Sequence, residues 1–310
     1  MDYKPWIEKY RPQKFNEIVL NEDNKILLKN IIKNNHFPNL LLYGPPGTGK
    51  TTTIINLIEK YHNSYNKNLK GLKIHLNASD DRGIDIIRNQ INQFVNTKSM
   101  FGNGIKFVIL DEVDYMTKNA QQALRYLIQQ YSSNIRFCLI CNYISKIDKS
   151  LQNEFITLCF CNLPKKKIHS FLTNIIVSEK LKISKKEIKN IQIQFKSDIR
   201  SMINYIQTNH GNISINNIIN NKICEDLHNF IKKHNPDETI KYIQIYCQKN
   251  NISTTRFINK FIEFNIFNKK YCLNNKWLDL FQMIVHNKNI SQKYILPFFI
   301  YQLYDLYKSL

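Results

Sequence analysis

Acidic residues are scarce in this chain of 310: 24 Asp and Glu stand against 44 Lys and Arg, a formal charge of +20. The shortage points to a polyanionic partner, and nucleic acid comes ahead of a membrane surface because no basic amphipathic helix stands out. No apolar run approaches the length of a membrane span, which excludes a spanning helix. No leader-type stretch opens the chain, and its seven cysteines are an odd number. A closed disulfide framework is therefore excluded, and free thiols in a reducing compartment are expected. Repeats and low-complexity tails are also absent, and the length suffices for two or three domains. The basic excess is uneven: 21 basic residues oppose 14 acidic ones over residues 1–160, and 23 oppose 10 over the rest. Asn, Ile and Lys are frequent in the second half, so part of its charge reflects compositional bias on solvated faces.

Glycine is also rare, at eight residues, yet three of them, Gly44, Gly47 and Gly49, fall within one turn. Leu40, Leu41, Leu42 and Tyr43 before it suit a buried strand, and Thr51 onward has helical apolar spacing. The turn reads Gly44, Pro45, Pro46, Gly47, Thr48, Gly49, Lys50, Thr51, Thr52, a complete G-x-x-x-x-G-K-[ST] motif in strand-turn-helix context. Backbone N–H groups of such a loop converge on phosphates and the helix N-terminus adds partial positive charge. Lys50 is expected to reach the β and γ oxygens, and the Thr51 hydroxyl to bind Mg²⁺.

A second landmark is Phe107, Val108, Ile109, Leu110, Asp111, Glu112. Four apolar residues of a buried parallel strand deliver two carboxylates to its C-terminal end, where open α/β sheets bind ligands. Asp111 is expected to hold Mg²⁺ through water, and Glu112 to orient and polarise the attacking water. Residues 137–141 read as a neighbouring strand ending at Asn142, either a turn former or an amide aimed at the γ-phosphate or the attacking water. Cys138 with Cys141, and Cys159 with Cys161, have spacings that raise zinc as a reading, but core packing is expected of both pairs. Residues 5–12 form an extended aromatic and basic segment ahead of any regular element. Asp80 and Asp81 open a helix over residues 84–97.

Residues 5–12, the loop 44–52, the run 77–88, residues 109–112, 120–125 and 136–143 together resemble a small subunit of replication factor C, the AAA+ clamp loader. The Asp80-Asp81-Arg82-Gly83 and 137–143 wording most resembles the eukaryotic type counted third in the yeast complex. The likeness is dense to about residue 160 and thins beyond.

The resemblance implies an α/β plus all-α chain in three parts. These are an AAA+ P-loop domain with a parallel sheet over residues 1–162, a small helical lid over 163–221, and a helical collar over 222–310 that gathers five subunits. It implies an ATPase acting within a complex, with ATP and Mg²⁺ as cofactors. Ile7 and Arg11 would lie near the base and ribose, Asn142 would be the first sensor, and Arg200 the lid's second sensor. Outside the family, Arg200 would read as a solvated helix residue.

Sister subunits, a sliding clamp and primer-template DNA are the implied partners, with no membrane. Arg88 is the candidate for the DNA backbone; Lys118 is a weaker one, equally a solvated residue. Met100 and Phe101 look like the tip that docks on the clamp, with loose core packing as the competing reading. A replication site follows, the nucleus or, for a viral source, a cytoplasmic one.

One departure is large. Where the family places Ser-Arg-Cys, this chain has Asn153, Glu154 and Phe155. The family's arginine is a finger inserted into the neighbour's ATP site, so Glu154 implies a subunit that binds ATP without donating a finger. Two other readings stay open: an ATP-binding structural subunit that does not hydrolyse, and another AAA+ DNA motor. Glu154 argues against a self-assembling hydrolytic ring.

Overall fold

A computed structural model describes residues 4–65, 73–78, 83–96, 105–131, 135–209, 221–250, 252–268, 274–286 and 292–308. The elements of the first part are α1 (Trp6–Lys9), α2 (Glu22–Lys33), β1 (Leu40–Tyr43), α3 (Lys50–Tyr65), β2 (Lys73–Asn77), α4 (Gly83–Asn96) and β3 (Lys106–Asp111). They continue with α5 (Lys118–Tyr131), β4 (Ile135–Cys141), α6 (Lys149–Gln152) and β5 (Ile156–Cys159). All five strands run parallel, in the order β2-β3-β4-β1-β5. The three central strands are near-continuous apolar runs because helices cover both faces of the sheet, whereas edge strand β2 alternates exposed and half-buried residues.

Successive side chains of one strand point to opposite faces, and the core splits accordingly. Leu40, Leu42, Ile109 and Ile140 pack with Leu28, Ile54 and Ile58 on one side. On the other, Leu41, Val108, Leu110 and Leu139 meet Leu124, Leu127 and Ile128. Cys138 and Cys141 are buried in these two layers, and burial pushes the Cys141 thiol up to about 12. Cys159 and Cys161 correct the expectation of core packing, since both are only half-buried at the end of β5.

Three helices follow: α7 (Lys165–Ser178), α8 (Lys185–Phe195) and α9 (Ile199–Asn209). A capping box of Ser184 and Glu187 fixes the start of α8. The N-terminal segment is not wholly extended as its sequence suggested, because residues 6–9 form one helical turn after Pro5. That turn is held by tertiary contacts that no local pattern specifies. Trp6 N–H donates to Gln207 Oε1 at 3.1 Å, Lys9 Nζ donates to Glu179 Oε1 at 2.6 Å, and Trp6, Ile7 and Tyr10 pack on the apolar cluster of α7–α9.

The chain divides into two compact units, residues 1–211 and 212–310, so the three short helices group with the sheet. Unit two contains α10 (Asn221–Ile231), α11 (Pro236–Lys249), α12 (Thr254–Asn268), α13 (Asn275–His286) and α14 (Gln292–Lys308). Its core holds Trp277, Phe281, Phe257, Phe261, Phe299 and Leu303. His228 is a buried polar exception, satisfied by Asn265 Oδ1 at 2.7 Å and by the Tyr307 hydroxyl. Phe267 is 79% exposed, and Ile245, Met283 and Val285 are exposed as well. No described helix is long and apolar enough to cross a membrane.

Trp277 is 1% exposed at the centre of unit two. Trp277→Ala is expected to cost roughly 3–5 kcal/mol of that unit's stability. Urea unfolding followed by circular dichroism checks this.

Candidate functional site: a cleft at the strand ends

Register brings the site together before any side chain does. Tyr43 pairs with Cys141 and Asn77 with Asp111, so the loop after β1, the end of β3 and Asn142 after β4 share one edge of the sheet. Gly47 and Gly49 adopt φ of +72° and +88°, where a Cβ is strained, so the turn needs glycine. Lys50, at 7% exposure, points back into its own loop. Its Nζ donates to Gly44 O at 2.8 Å, Pro45 O at 2.9 Å and Asn142 Oδ1 at 3.0 Å.

Beside it, the Thr51 hydroxyl donates to Asp111 Oδ2 at 2.7 Å, and the Glu112 N–H donates to Asp111 Oδ1 at 2.9 Å. Burial alone would raise the Asp111 pKa, but donors from His75, Thr51 and the Glu112 backbone hold it below the usual carboxylate value. Burial lowers the Lys50 pKa, and the negative charge of Asp111 works against that fall. Glu112 has φ +58°, a left-handed conformation uncommon for a non-glycine residue and concentrated at functional sites.

This donor set fits the expected cofactors. Thr51 and Asp111 present hard oxygens in contact with each other, the kind of ligand Mg²⁺ takes, and the loop turns glycine-rich backbone toward a cleft of about 430 Å³. Ile7, Arg11, Asn142, Phe171, Arg200 and Ile203 line the same cleft. Arg11 Nε donates to Thr52 Oγ1 at 3.3 Å. Pro46, Thr48 and Glu112 also line the cleft.

The helices after the sheet close directly onto the loop. Ile199 N–H donates to Gly47 O at 3.1 Å, and a Cβ on Gly47 would lie 1.8 Å from Asp198 Oδ1. Asp198 is itself held as the cap of α9, accepting from Ser201 N at 3.0 Å and Ser201 Oγ at 2.6 Å. Arg200 stands one residue into α9, exposed at the cleft.

Two site residues escaped the sequence reading. His75 lies 3.9 Å from Asp111 Oδ2, a neighbour visible only once β2 is paired with β3. Asp114, at 5% exposure, accepts from the Asn142 backbone N–H at 3.3 Å. Its position in Asp111-Glu112-Val113-Asp114 was the available signal.

Lys118 and Glu154 do not line the cleft. Lys118 is exposed at the start of α5, Arg88 lies in α4 with its side chain outside the described residues, and Met100, Phe101, Asp80 and Asp81 lie outside them altogether. Glu154 is folded back on α5, where its Oε1 accepts from Gln129 Nε2 at 2.7 Å and Arg125 Nε at 3.3 Å.

A phosphate loop on a five-stranded parallel sheet, with helices closing over it, defines an ATPase of the AAA class. Residues 40–163 match the model of the AAA family, ATPases associated with various cellular activities. Within that class the chain belongs to the replication factor C small-subunit family. It is 38% identical over 242 residues to replication factor C subunit 3 of Schizosaccharomyces pombe, covering 76% of this chain and 70% of that one. It is 41% identical over 204 residues to subunit 3 of Saccharomyces cerevisiae and 42% identical to subunit 5 of Homo sapiens, each match covering 66% of this chain and 59% of the relative. The chain thus spans between 59% and 70% of the length of these relatives. Among solved structures it is similar to the Thermotoga maritima RuvB Holliday junction branch migration motor, with a TM-score of 0.53 at 15% identity, over 82% of this chain and 79% of that one. That likeness concerns the fold.

Gly47→Ala is expected to push Asp198 off the loop and to weaken binding of a fluorescent ATP analogue by tenfold or more, about 1.4 kcal/mol. Titration of the purified chain reads the loss, and unchanged affinity would contradict the contact.

Proposed function

We propose that this chain is a small subunit of a heteropentameric clamp loader, which uses ATP binding and hydrolysis to open a sliding clamp and load it on primer-template DNA. The observation that carries this reading is the meeting of Lys50, Thr51, Asp111 and Asn142 in one cleft, in a chain of the replication factor C family.

Each residue then has a task. The loop amides of residues 44–49 and the Lys50 ammonium cradle the β and γ phosphates, while Thr51 and Asp111 hold Mg²⁺. Bound Mg²⁺ supplies charge neutralisation on the phosphate oxygens. Glu112 accepts a hydrogen bond from the attacking water and aims it at the γ-phosphorus. Asn142, already bonded to Lys50 Nζ, reports the γ-phosphate by exchanging that partner. Arg200 does the same from α9, and Ile7 and Arg11 flank base and ribose.

The remaining surfaces take the partners. Arg88 and Lys118 track a DNA phosphate backbone, a contact that reads shape rather than bases. Met100 and Phe101 dock on the clamp. Residues 222–310 gather sister subunits through exposed apolar side chains such as Phe267 and Ile245. Such a complex works where DNA is replicated, in the nucleus or at a viral replication site.

Glu154 fits a subunit that donates no arginine finger. Its carboxylate is engaged by Gln129 and Arg125 of its own chain, and a negative charge there cannot stabilise the phosphoryl group of a neighbour's nucleotide.

Co-purification with the sister subunits tests the assembly: a five-membered complex that opens a ring clamp is expected, and a chain that stays alone overturns it. In that complex Glu112→Gln is expected to retain nucleotide while lowering turnover at this site roughly 10²–10⁴-fold, read as single-site hydrolysis. Glu154→Arg is expected to raise total ATP turnover by completing the adjoining site. No gain would count against the missing-finger account.

A further inference from the structure

Cys159 and Cys161 flank Phe160, whose backbone lies against Gly44 at the start of the nucleotide loop. Burial alternates there: Cys159 is half-buried, Phe160 is fully buried, and Cys161 is half-buried again. Side chains two apart in an extended chain share a face, so both thiols sit opposite the Phe160 ring. Register places Cys159 directly beside Tyr43 of β1. Both thiols remain reachable from solvent, unlike Cys141 in the same row across β4, β1 and β5.

The backbone between the two thiols is the outer wall of the loop. Phe160 N–H donates to Tyr43 O at 2.7 Å, and a Cβ added to Gly44 would lie 3.0 Å from the Phe160 carbonyl carbon. Gly44 in turn gives its carbonyl to Lys50. Asn24 Nδ2 and Asn21 Nδ2 pin the carbonyls of Cys159 and Cys161 at 2.8 and 3.1 Å.

We propose that Cys159 and Cys161 are a reversible oxidative modification site, which a hydroperoxide joins into a disulfide that draws the Phe160 backbone off Gly44 and loosens the nucleotide loop. This rests on residues 44–51 being that loop. Residues two apart in extended backbone have Cα atoms about 6.6 Å apart, whereas disulfide-bonded pairs centre near 5.5–6 Å, so closure shortens the strand end by roughly an ångström. Three hydrogen bonds, to Tyr43, Asn21 and Asn24, hold the stretch that this movement displaces.

The chemistry balances with peroxide as oxidant. The Cys159 sulfur attacks one peroxide oxygen; an S–O bond forms, the O–O bond breaks, and the leaving hydroxide takes a proton to become water. The Cys161 sulfur then attacks the sulfenic sulfur; the S–S bond forms, the S–O bond breaks, and the Cys161 proton leaves with the hydroxyl as a second water. The two thiols lose two electrons together, and the peroxide gains them. Burial opposes ionisation of Cys159, yet the neighbouring Cys161 and Tyr43 side chains bring its pKa below the usual thiol value.

The test uses the full chain treated with hydrogen peroxide, then alkylated and cut with trypsin. The peptide of residues 150–165 contains only these two cysteines. It is expected to lack alkylation and weigh two hydrogens less. Amide exchange over residues 40–50 is expected to quicken and affinity for a fluorescent ATP analogue to fall several-fold, both reversing with dithiothreitol and neither occurring in Cys161→Ser. Alkylated thiols after peroxide, or a disulfide with unchanged exchange at residues 40–50, would overturn the proposal. A reduced chain that never binds the analogue would sink the nucleotide reading instead, while mass and exchange still decide the thiol pair.

Discussion

The first unit turns on one buried ammonium. Lys50 loses most of its hydration, and an unpaired charge there would cost several kcal/mol. Three oxygens replace the lost water: two loop carbonyls and the amide of Asn142. Because Asn142 follows β4 and Gly44 follows β1, satisfying Lys50 requires those strands to be adjacent and in their observed register. A slip of one residue would send Asn142 to the other side of the sheet and leave the ammonium short of an acceptor.

The same logic extends outward. Asp111 must end β3 at the level of Thr51, and does so because β3 pairs with β4. Asp114 then holds the backbone of Asn142 in place, so the acid of one strand end steadies the amide of the next. The helices after the sheet complete the cleft through Gly47 and Asp198, and the turn at residues 6–9 ties the N-terminus to those helices. A displacement of α9 therefore reaches the loop by direct contact.

Much of this was legible in the chain as a string. The loop 44–51 is a local strand-turn-helix whose glycines answer to backbone conformation within a few residues, so its form is written in its own spacing. The acids at the end of residues 107–112 declare themselves in the same way, through an apolar run long enough to be a buried strand. Trp277, Leu280, Phe281 and Ile284 stand at helical spacing in the sequence and lie in the core, because an apolar face at 3.6-residue spacing has few other places to go. Resemblance to replication factor C added which of these local pieces belong together.

Tertiary structure decided what depends on partners distant in sequence. His75 is an ordinary strand residue until β2 lies beside β3, and Glu154 is a missing arginine until α5 supplies Arg125 and Gln129 to bind it. Core packing was expected of Cys159 and Cys161, but the end of an edge strand leaves them half in solvent. Sequence determined the chemistry at each strand end, since backbone geometry and side-chain type act within a few residues. Which strand ends meet, and at what distance, was fixed only by the folded sheet, since pairing is a contest among many apolar segments that no single segment contains.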